Sequence, residues 1–305
     1  MEKIEVTRYF EFIKKNNKVI VGGREIPLKR IKVSRLEPRK EELGLVYGSV
    51  WSFPKRGRWA SHRSDYRGNW PPQLPRILIE SYTQQGDSVL DPMVGSGTTC
   101  IEALLLKRRC IGVDINVQSL VLAWHRLYAL SEKLSPDNPM KPLEAIELYA
   151  GDARDLDKVQ ENEVKLVATH PPYWRSLKYS TNINGDLSNE KSLKRYLDAL
   201  GIISNEIYRV LVPGGVFAIL LGDSRRKRHY VPVSIYALKK ILEPGFILME
   251  EIVKIQHKIK DTQVYWERYS RDFLMIKHEK LYIMRKPVYE GEEKKYRYST
   301  MKRRR

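Results

Sequence analysis

The pattern of apolar and polar positions changes at Ser88, where short apolar runs begin to alternate with amphipathic stretches. The apolar runs predict strands at 88–91, 110–114, 145–149, 164–168, 215–221 and 246–256. Apolar residues at helical spacing predict helices at 98–108, 117–131, 191–211 and 233–242. Strands that alternate with helices are typical of a parallel, doubly wound sheet. We therefore predict an α/β fold, with a last strand at 280–285 lying antiparallel beside 246–256.

Residues 1–50 look like an N-terminal extension that lies outside this α/β pattern. The pattern predicts a short helix at 9–15 and a hairpin at 18–27, which turns across two consecutive glycines. This region is basic, because residues 24–67 hold 12 Lys and Arg against 5 Asp and Glu. We expect a small basic extension followed by one main domain at 51–290.

The segment 51–75 is dense in aromatic, basic and proline residues and is too irregular for one helix or strand. Its aromatic residues are Trp51, Phe53, Trp59, Tyr66 and Trp70. We expect an ordered loop in which most of these rings pack against the helix that begins at Pro75 and reaches Tyr82. One or two of them remain candidates for stacking on a planar ligand.

Composition adds a large excess of positive charge. The 305 residues are 42% hydrophobic, which suffices for one large α/β domain plus an extension, and the formal net charge is +18. The charge-rich surface of a thermophilic protein would explain many charges, but not a surplus of one sign. The surplus favours a polyanionic partner such as nucleic acid. The C-terminal tail, 291–305, holds 7 Lys and Arg against 2 Glu and is expected to stay disordered until it meets a phosphate backbone.

Several classes of site and location are not expected. The two cysteines, Cys100 and Cys110, form no CxxC pair, so we expect neither a disulfide framework nor a cysteine zinc site. The six histidines are scattered without an HExxH motif, so no metal is expected. The sequence has no signal-peptide pattern and no long apolar span, which predicts a cytoplasmic protein without a membrane partner.

The stretch Asp91-Pro-Met-Val-Gly-Ser-Gly-Thr-Thr99 joins a predicted strand to a predicted helix through a glycine turn. Two glycines let a ligand approach the backbone, and the helix start behind them offers free N–H groups. We expect this turn to bind a nucleotide-like cofactor. The predicted contacts are Asp91, Pro92, Gly95, Gly97 and Thr98.

Carboxylates end the next two predicted strands. Asp114 lies about 20 residues after the glycine turn, where an acidic residue accepts hydrogen bonds from ribose hydroxyls. Asp152 follows the third strand, where an adenine amino group would arrive. Asp is also common at helix caps and strand-end turns, but three features in register favour a cofactor site. Ile115, Ala153 and Thr169 complete the predicted contacts. The third glycine of a dinucleotide fingerprint is missing, which favours a mononucleoside cofactor over NAD.

A second motif, Thr169-His-Pro-Pro-Tyr-Trp174, follows the fourth predicted strand. The Asp91-Pro-x-x-Gly-Ser-Gly-Thr-Thr stretch with a later Pro-Pro-Tyr resembles the S-adenosylmethionine-dependent amino-methyltransferases that act on adenine N6 or cytosine N4 in nucleic acids. The resemblance extends over about residues 51–287. It includes the segments Pro71-Pro-Gln-Leu-Pro-Arg-Ile-Leu-Ile79, Leu211-Val-Pro-Gly-Gly215, Gly222-Asp223 and His278-Glu279. It implies a Rossmann-like methyltransferase fold, S-adenosylmethionine as cofactor, and catalysis by His170, Pro171, Pro172 and Tyr173.

The chemistry explains these residue types. An exocyclic amine on a base is a poor nucleophile because its lone pair is delocalised into the ring. Acceptors in the plane of the amine, here the Pro171 carbonyl and the side chain of His170, hold its protons and favour a pyramidal nitrogen. Tyr173 offers a flat face for an extruded base. The family usually has Asp, Asn or Ser where this chain has His170, and only neutral His can accept a hydrogen bond or act as a base.

The polymer that carries the target base is less defined. Only a short loop separates Trp174 from Lys191, so the long recognition domain of many sequence-specific DNA enzymes is missing there. The remaining candidates for substrate contact are residues 1–70, Trp174 and the arginines Arg225, Arg226 and Arg228, although the arginines also suit a solvated turn. Small basic segments suit recognition of shape and phosphate, which favours RNA over DNA.

As a whole, the chain resembles archaeal enzymes that modify cytosine N4 in the RNA of the small ribosomal subunit. We therefore expect cytosine-N4 methylation of ribosomal RNA. One alternative is a DNA methyltransferase acting on cytosine N4 or adenine N6. Another is a catalytically silent RNA-binding or assembly factor that keeps the fold, although a complete cofactor site argues against it.

Overall fold

The computed structural model describes residues 1–180, 182–257 and 274–301. The strands are β1 (Glu2–Lys3), β2 (Lys18–Val21), β3 (Arg24–Pro27), β4 (Leu45–Tyr47), β5 (Val50–Ser52), β6 (Ser88–Asp91), β7 (Arg109–Asp114), β8 (Ile146–Ala150), β9 (Val164–Thr169), β10 (Leu211–Leu221), β11 (Ser224–Arg226), β12 (His229–Val231), β13 (Ile247–Ile255) and β14 (His278–Arg285). The helices are α1 (Val6–Lys15), α2 (Gln73–Tyr82), α3 (Thr98–Leu105), α4 (Val117–Leu134), α5 (Leu193–Val210) and α6 (Val233–Ile241).

A ten-stranded sheet in the order β1-β8-β7-β6-β9-β10-β14-β13-β5-β4 organises these elements. The five strands from β8 to β10 are parallel neighbours, and β14 lies antiparallel between β10 and β13. The predicted Rossmann-like α/β fold, with a mostly parallel doubly wound sheet and an antiparallel last strand, is confirmed. Because four parallel strands end at one edge, the polar residues that follow them are brought together there.

Apolar side chains alternate between the two faces of the sheet, as the pleat requires. In β6, Val89 packs into a core with α2, α3 and α4, whereas Leu90 packs into a second core with α5 and α6. In β14, Leu281 faces the first core and Tyr282 faces the second. Both faces are therefore covered, which explains why the central strands read as nearly continuous apolar runs.

The N-terminal extension is less separate than its composition predicts. Its helix and its hairpin β2–β3 are present, but β1 pairs with β8 at one edge of the sheet. At the other edge, β4 pairs with β5, and β5 runs parallel to β13. The predicted boundary at residue 50 falls inside β5. Strands of two or three residues carry too little periodicity to be recognised, and the partners of β1 and β5 in the main sheet, β8 and β13, lie far along the chain.

The aromatic segment packs as predicted. Trp51, Phe53, Trp59, Tyr66 and Trp70 are all buried. A buried carboxylate anchors this segment to α3: Glu102 accepts hydrogen bonds from Trp59 Nε1 at 2.7 Å and from Arg76 Nη1 at 3.2 Å.

Two expectations about the chain are corrected. Cys100 and Cys110 form a disulfide, because α3 folds back against β7 and brings their Cα atoms to 5.3 Å. The tail up to residue 301 packs on the domain: Arg285 donates to Glu292 at 2.8 and 2.6 Å, and the backbone of Leu248 donates to Ser299. The terminal residues 302–305, also expected to be disordered, lie outside the described part. Within that part, no helix combines the length and apolarity needed to cross a membrane.

Candidate active site

A cavity lies where β6, β7, β8 and β9 end. Of the residues predicted from sequence, the wall contains Asp91, Pro92, Gly95, Thr98, Asp114, Ile115, Asp152, Ala153, His170 and Pro172. The fold therefore brings the glycine turn, both strand-end carboxylates and the start of the second motif to one site.

Asp91 joins the glycine turn to the neighbouring strand β9. Its carboxylate accepts hydrogen bonds from Thr99 Oγ1 at 2.5 Å, Thr169 Oγ1 at 2.8 Å and the backbone N–H of Met93 at 3.1 Å. Burial raises the pKa of Asp91 to about 6, against the lowering effect of these hydrogen bonds. Its main role is therefore to shape the turn. Thr169 supports Asp91 from outside the described wall, and its contact with a cofactor stays a prediction.

The two glycines serve different purposes. Gly95 lies in the wall with φ +51°, and a Cβ there would come within 3.3 Å of the Tyr66 ring. Gly97 precedes α3 with φ +84°, and a Cβ there would lie 3.1 Å from the Cβ of Ala123. Gly97 lies outside the described wall and acts through close packing of α3 against α4.

Asp114 extends from the end of β7 into the cavity. Its carboxylate accepts from the backbone N–H groups of Gly95 at 2.9 Å and Asn116 at 2.8 Å. Burial raises the pKa of Asp114 to about 7, and the charges of Asp186 and Asp91 add to this effect. Each carboxylate oxygen keeps a second lone pair for a donor on a bound molecule.

Asp152 and Asp186 complete the polar wall. Asp152 is held by the guanidinium of Arg154, whose Nε donates to it at 2.9 Å. Asp186, which sequence reasoning missed, lies in the wall and accepts from Ser180 Oγ at 2.5 Å and the backbone of Ser188 at 2.8 Å. A glycine backbone with carboxylates on adjacent strand ends fits a nucleoside cofactor with ribose hydroxyls and an adenine amino group.

His170 follows β9 and lies in the wall, with its ring stacked on Trp70 at a centroid distance of 5.9 Å and an angle of 18°. Burial lowers the pKa of His170 to about 4, although the charge of Glu279 and the backbone of Gly68 oppose the shift. The imidazole is therefore neutral near pH 7 and can accept a hydrogen bond through one nitrogen. Trp70 was not singled out from sequence because it was one of several aromatics in an irregular segment.

A chain of hydrogen bonds determines which nitrogen of His170 accepts. Lys254 Nζ donates to Glu279 Oε2 at 2.6 Å, and Tyr173 Oη donates to Glu279 Oε1 at 2.7 Å. Burial favours a neutral Glu279, but Lys254 and the other partners hold its pKa below the ordinary value, so it is a carboxylate. The single hydroxyl proton of Tyr173 forms the hydrogen bond to Glu279. His170 Nε2 lies 2.7 Å from Tyr173 Oη; in the tautomer with the proton on Nε2, this nitrogen donates to the tyrosine oxygen and Nδ1 keeps the lone pair.

The other residues of the second motif take different positions. Pro172 lies in the wall and its carbonyl accepts from Tyr196 Oη at 2.9 Å, whereas Pro171 is buried outside the described wall. Tyr173 also lies outside it, with its ring so close to Gly222 that a Cβ there would be 2.5 Å away. The predicted acceptor role of Pro171 and the predicted stacking role of Tyr173 stay predictions.

Trp174 and the three arginines, predicted as substrate contacts, lie outside the cavity wall. Trp174 is only 6% exposed and packs in the core with α5, and its contact with the substrate stays a prediction. Arg225, Arg226 and Arg228 lie on the hairpin β11–β12 instead of in an irregular loop, and Arg225 Nη1 donates to the Arg228 carbonyl at 3.0 Å. None of the three arginines is in the described cavity wall. The described residues contain no group of three or more side chains placed to hold a metal.

Two family comparisons match this chain. The profile of the N6/N4 methyltransferases, described as DNA methylase, matches residues 5–123 and 164–305. The profile described as RMKL-like, methyltransferase domain, matches residues 73–197.

Individual relatives include one enzyme named for tRNA and others named type II methyltransferases. A tRNA (guanine(10)-N2)-dimethyltransferase of Methanothermobacter thermautotrophicus is 31% identical over 194 residues, which are 63% of this chain and 47% of the relative. The type II methyltransferase M2.DpnII of Streptococcus pneumoniae is 44% identical over 71 residues, 22% of this chain and 26% of the relative. M.MjaI of Methanocaldococcus jannaschii is 35% identical over 85 residues, 24% and 28% of the two chains. The matches thus span from about a quarter to about half of these relatives.

Among solved structures, TrmN from Thermus thermophilus has a TM-score of 0.46 and 20% identity, covering 72% of this chain and 50% of its own. A DNA modification methylase from the same species has a TM-score of 0.34 and 27% identity, covering 45% and 51%.

Proposed function

The chain belongs to the N6/N4 methyltransferase family, and from that premise we propose that it methylates an exocyclic amine of a nucleobase in nucleic acid. The proposal is carried by one observation: a single cavity holds the glycine turn, the carboxylates of Asp114 and Asp152, and His170. Its cofactor is S-adenosylmethionine, which when bound supplies an electrophilic methyl group.

The cofactor is held by backbone and carboxylate groups at three strand ends. Asp114 would accept hydrogen bonds from the ribose hydroxyls, and the backbone at Gly95, also in the wall, would permit close approach. Asp152 accepts from the adenine amino group through the lone pairs that Arg154 leaves free. The chain's main contribution here is orientation, since in-line transfer of a methyl group depends mostly on the placement of the two reacting atoms.

The amine is activated by His170. Its Nδ1 accepts one amine hydrogen, and the Pro171 carbonyl accepts the other once the base has entered. Both contacts pull the amine nitrogen toward a pyramidal geometry, so that its lone pair points at the methyl carbon. The bound cofactor would supply the methyl group and keep the electron pair of the C–S bond, and Nδ1 would be placed to take the proton that the amine nitrogen releases.

Within this activity we propose cytosine N4 in RNA, and ribosomal RNA of the small subunit, as the target. The relative named for tRNA matches this chain over 194 residues, against 71 and 85 for the two type II methyltransferases above, which supports RNA. The net charge of +18 and the short loop between Trp174 and Lys191 are consistent with it. A DNA N4-cytosine or N6-adenine methyltransferase is the second candidate, supported by the family's description and by relatives named type II methyltransferases.

The test is methyl transfer from labelled cofactor to ribosomal RNA, tRNA and duplex DNA side by side, followed by mass spectrometry of the product nucleosides. We expect N4-methylcytidine from ribosomal RNA. Transfer to duplex DNA alone would replace the RNA proposal with the second candidate. Failure to bind the cofactor in calorimetry would support the silent RNA-binding factor. Unchanged turnover in His170→Ala would remove His170 from the mechanism.

A further inference from the structure

A second cavity adjoins the first on the side of the hairpin β2–β3. Its wall combines three stretches that are distant in sequence: 21–26 of the hairpin, 65–67 of the aromatic segment, and 176–179 after the second motif. The hairpin is fixed in place because the backbone N–H of Gly22 donates to the carbonyl of Tyr179 at 2.8 Å. A Cβ at Gly22 would lie 2.5 Å from the Lys178 carbonyl, so the two segments are in close contact. We call this cavity the hairpin groove.

The hairpin groove carries positive charge that the protein itself leaves uncompensated. Arg24, Arg67 and Lys178 lie in its wall and are exposed. Over residues 1–180, 182–257 and 274–301, none of the three forms an ion pair with a carboxylate. The acidic residue of the groove, Asp65, is engaged by the buried guanidinium of Arg126. Three cations gathered in one concave surface repel one another, and an anionic ligand would relieve that repulsion.

The hairpin groove is also connected to the active site. Tyr66 and Tyr179 belong to the walls of both cavities, and their rings stack at a centroid distance of 5.9 Å and an angle of 20°. A ligand in the groove therefore lies on the other side of this tyrosine pair from Asp114 and His170. The hairpin β11–β12, which the sequence singled out for substrate contact, shares no residue with either wall.

We propose that the hairpin groove binds the phosphodiester backbone of the nucleic-acid strand next to the target base. Arg24, Arg67 and Lys178 each contact a phosphate, and the tyrosine pair separates the backbone from the cofactor. This proposal rests on the proposed function, because it assumes a nucleic-acid substrate. It gives the hairpin of the N-terminal extension a specific role, since the hairpin supplies one side of the track along which the strand reaches the active site.

The test compares two variants of the full chain that lose the same charge. The groove variant is Arg24→Ala with Arg67→Ala and Lys178→Ala. The control is Lys14→Ala with Lys15→Ala and Lys133→Ala, three exposed lysines that lie outside both cavities. Affinity is measured by fluorescence anisotropy at several salt concentrations, with labelled single-stranded RNA, single-stranded DNA and duplex DNA of one sequence. Calorimetry with S-adenosylmethionine reports whether the neighbouring site is intact in each variant.

Each phosphate contact contributes about 0.7 to the slope of log affinity against log salt for a single strand, so the groove variant should lose about 2 from that slope. The control should keep the wild-type slope, and both variants should bind the cofactor normally. Equal slopes in the groove variant and the control would overturn the proposal. Because the measurement is equilibrium binding, absence of methyl transfer by the wild type would contradict the proposed function without changing this result.

Discussion

The hydrogen-bond chain from Lys254 to His170 makes a sharp prediction for Glu279→Gln. In the wild type, both carboxylate oxygens of Glu279 accept, from Lys254 at 2.6 Å and from Tyr173 at 2.7 Å. A glutamine has one oxygen and one NH₂ group in the same place. Lys254 can only donate, so the amide oxygen must face Lys254 and the NH₂ group must face Tyr173.

Replacing the carboxylate of Glu279 with an amide reverses the direction of the hydrogen bonds between positions 279, 173 and 170. The amide NH₂ donates to Tyr173 Oη, and the tyrosine proton turns toward His170 Nε2. His170 must then carry its own proton on Nδ1 and loses the acceptor that holds the target amine. We expect Glu279→Gln to change the tautomer of His170 while the ring stays stacked on Trp70.

The magnitude follows from what is lost. Removing one pre-positioned hydrogen-bond partner of the transition state typically lowers kcat roughly 10²- to 10³-fold. The KM for the cofactor should change little, because the residues that contact the cofactor are unchanged. Stability should also fall, because Glu279 is 6% exposed and its loss leaves the Lys254 ammonium without a counter-charge. Removing one partner of a buried ion pair costs about 3–5 kcal/mol, so assays belong at a temperature well below the variant's Tm.

The assay is ¹⁵N NMR of histidine-labelled protein, which distinguishes the two tautomers directly, together with kcat and KM. The matched control is Glu279→Gln combined with Lys254→Met. Without the ammonium, the amide oxygen is free to face Tyr173, so the wild-type tautomer and much of kcat should return. An unchanged His170 tautomer in Glu279→Gln, or a double variant as slow as the single one, would refute the reasoning.

Three further predictions concern the glycine turn and its surroundings. Because burial raises the pKa of Asp114 to about 7 and ribose donors favour its ionised form, cofactor affinity measured by calorimetry should rise with pH up to about 7 and then level off. Asp114→Asn should bind weakly with a flat profile, and a pH-dependent Asp114→Asn would contradict this origin. Gly97→Ala should lose at least about 1–2 kcal/mol in urea unfolding, since φ is +84° and the new Cβ would lie 3.1 Å from Ala123; an unchanged midpoint would contradict the strain. Cys100→Ser should lose about 2–3 kcal/mol relative to the oxidised wild type, and the difference should shrink in reductant if the bond to Cys110 is its source.

The parts of the site that the sequence predicts are those built from consecutive residues. The strand, glycine turn and helix from Ser88 onward follow from local periodicity, and Asp114 and Asp152 follow from the rule that parallel strands end at one edge. The structure brings all of them into one wall. In the same way, the position of His170 at a strand end follows from the apolar run at 164–168 that precedes it. These predictions need no knowledge of which distant segments meet.

The remaining contacts depend on pairings that a single sequence does not reveal. Glu279 lies in a segment that resembles a family landmark, but its partner Lys254 becomes visible only in the register of β13 against β14, where the two residues are opposite each other. The stacking of Trp70 on His170 depends on the path of an irregular loop. Asp186 lies in a loop whose course is set by turns and side-chain hydrogen bonds. Periodicity does not encode such arrangements.

The unusual His170 is explained by the network that surrounds it. A carboxylate at this position, as the family often has, would face the same Tyr173 hydroxyl as the Glu279 carboxylate. One phenolic proton cannot satisfy two carboxylates, and two buried negative charges would repel each other, so one would have to be protonated and would lose acceptor capacity. A neutral imidazole avoids this conflict, because its Nε2–H donates to Tyr173 while Nδ1 still accepts. The residue at position 170 and the Lys254–Glu279 pair therefore belong to one hydrogen-bond network. Changing either one alone should remove the acceptor for the target amine.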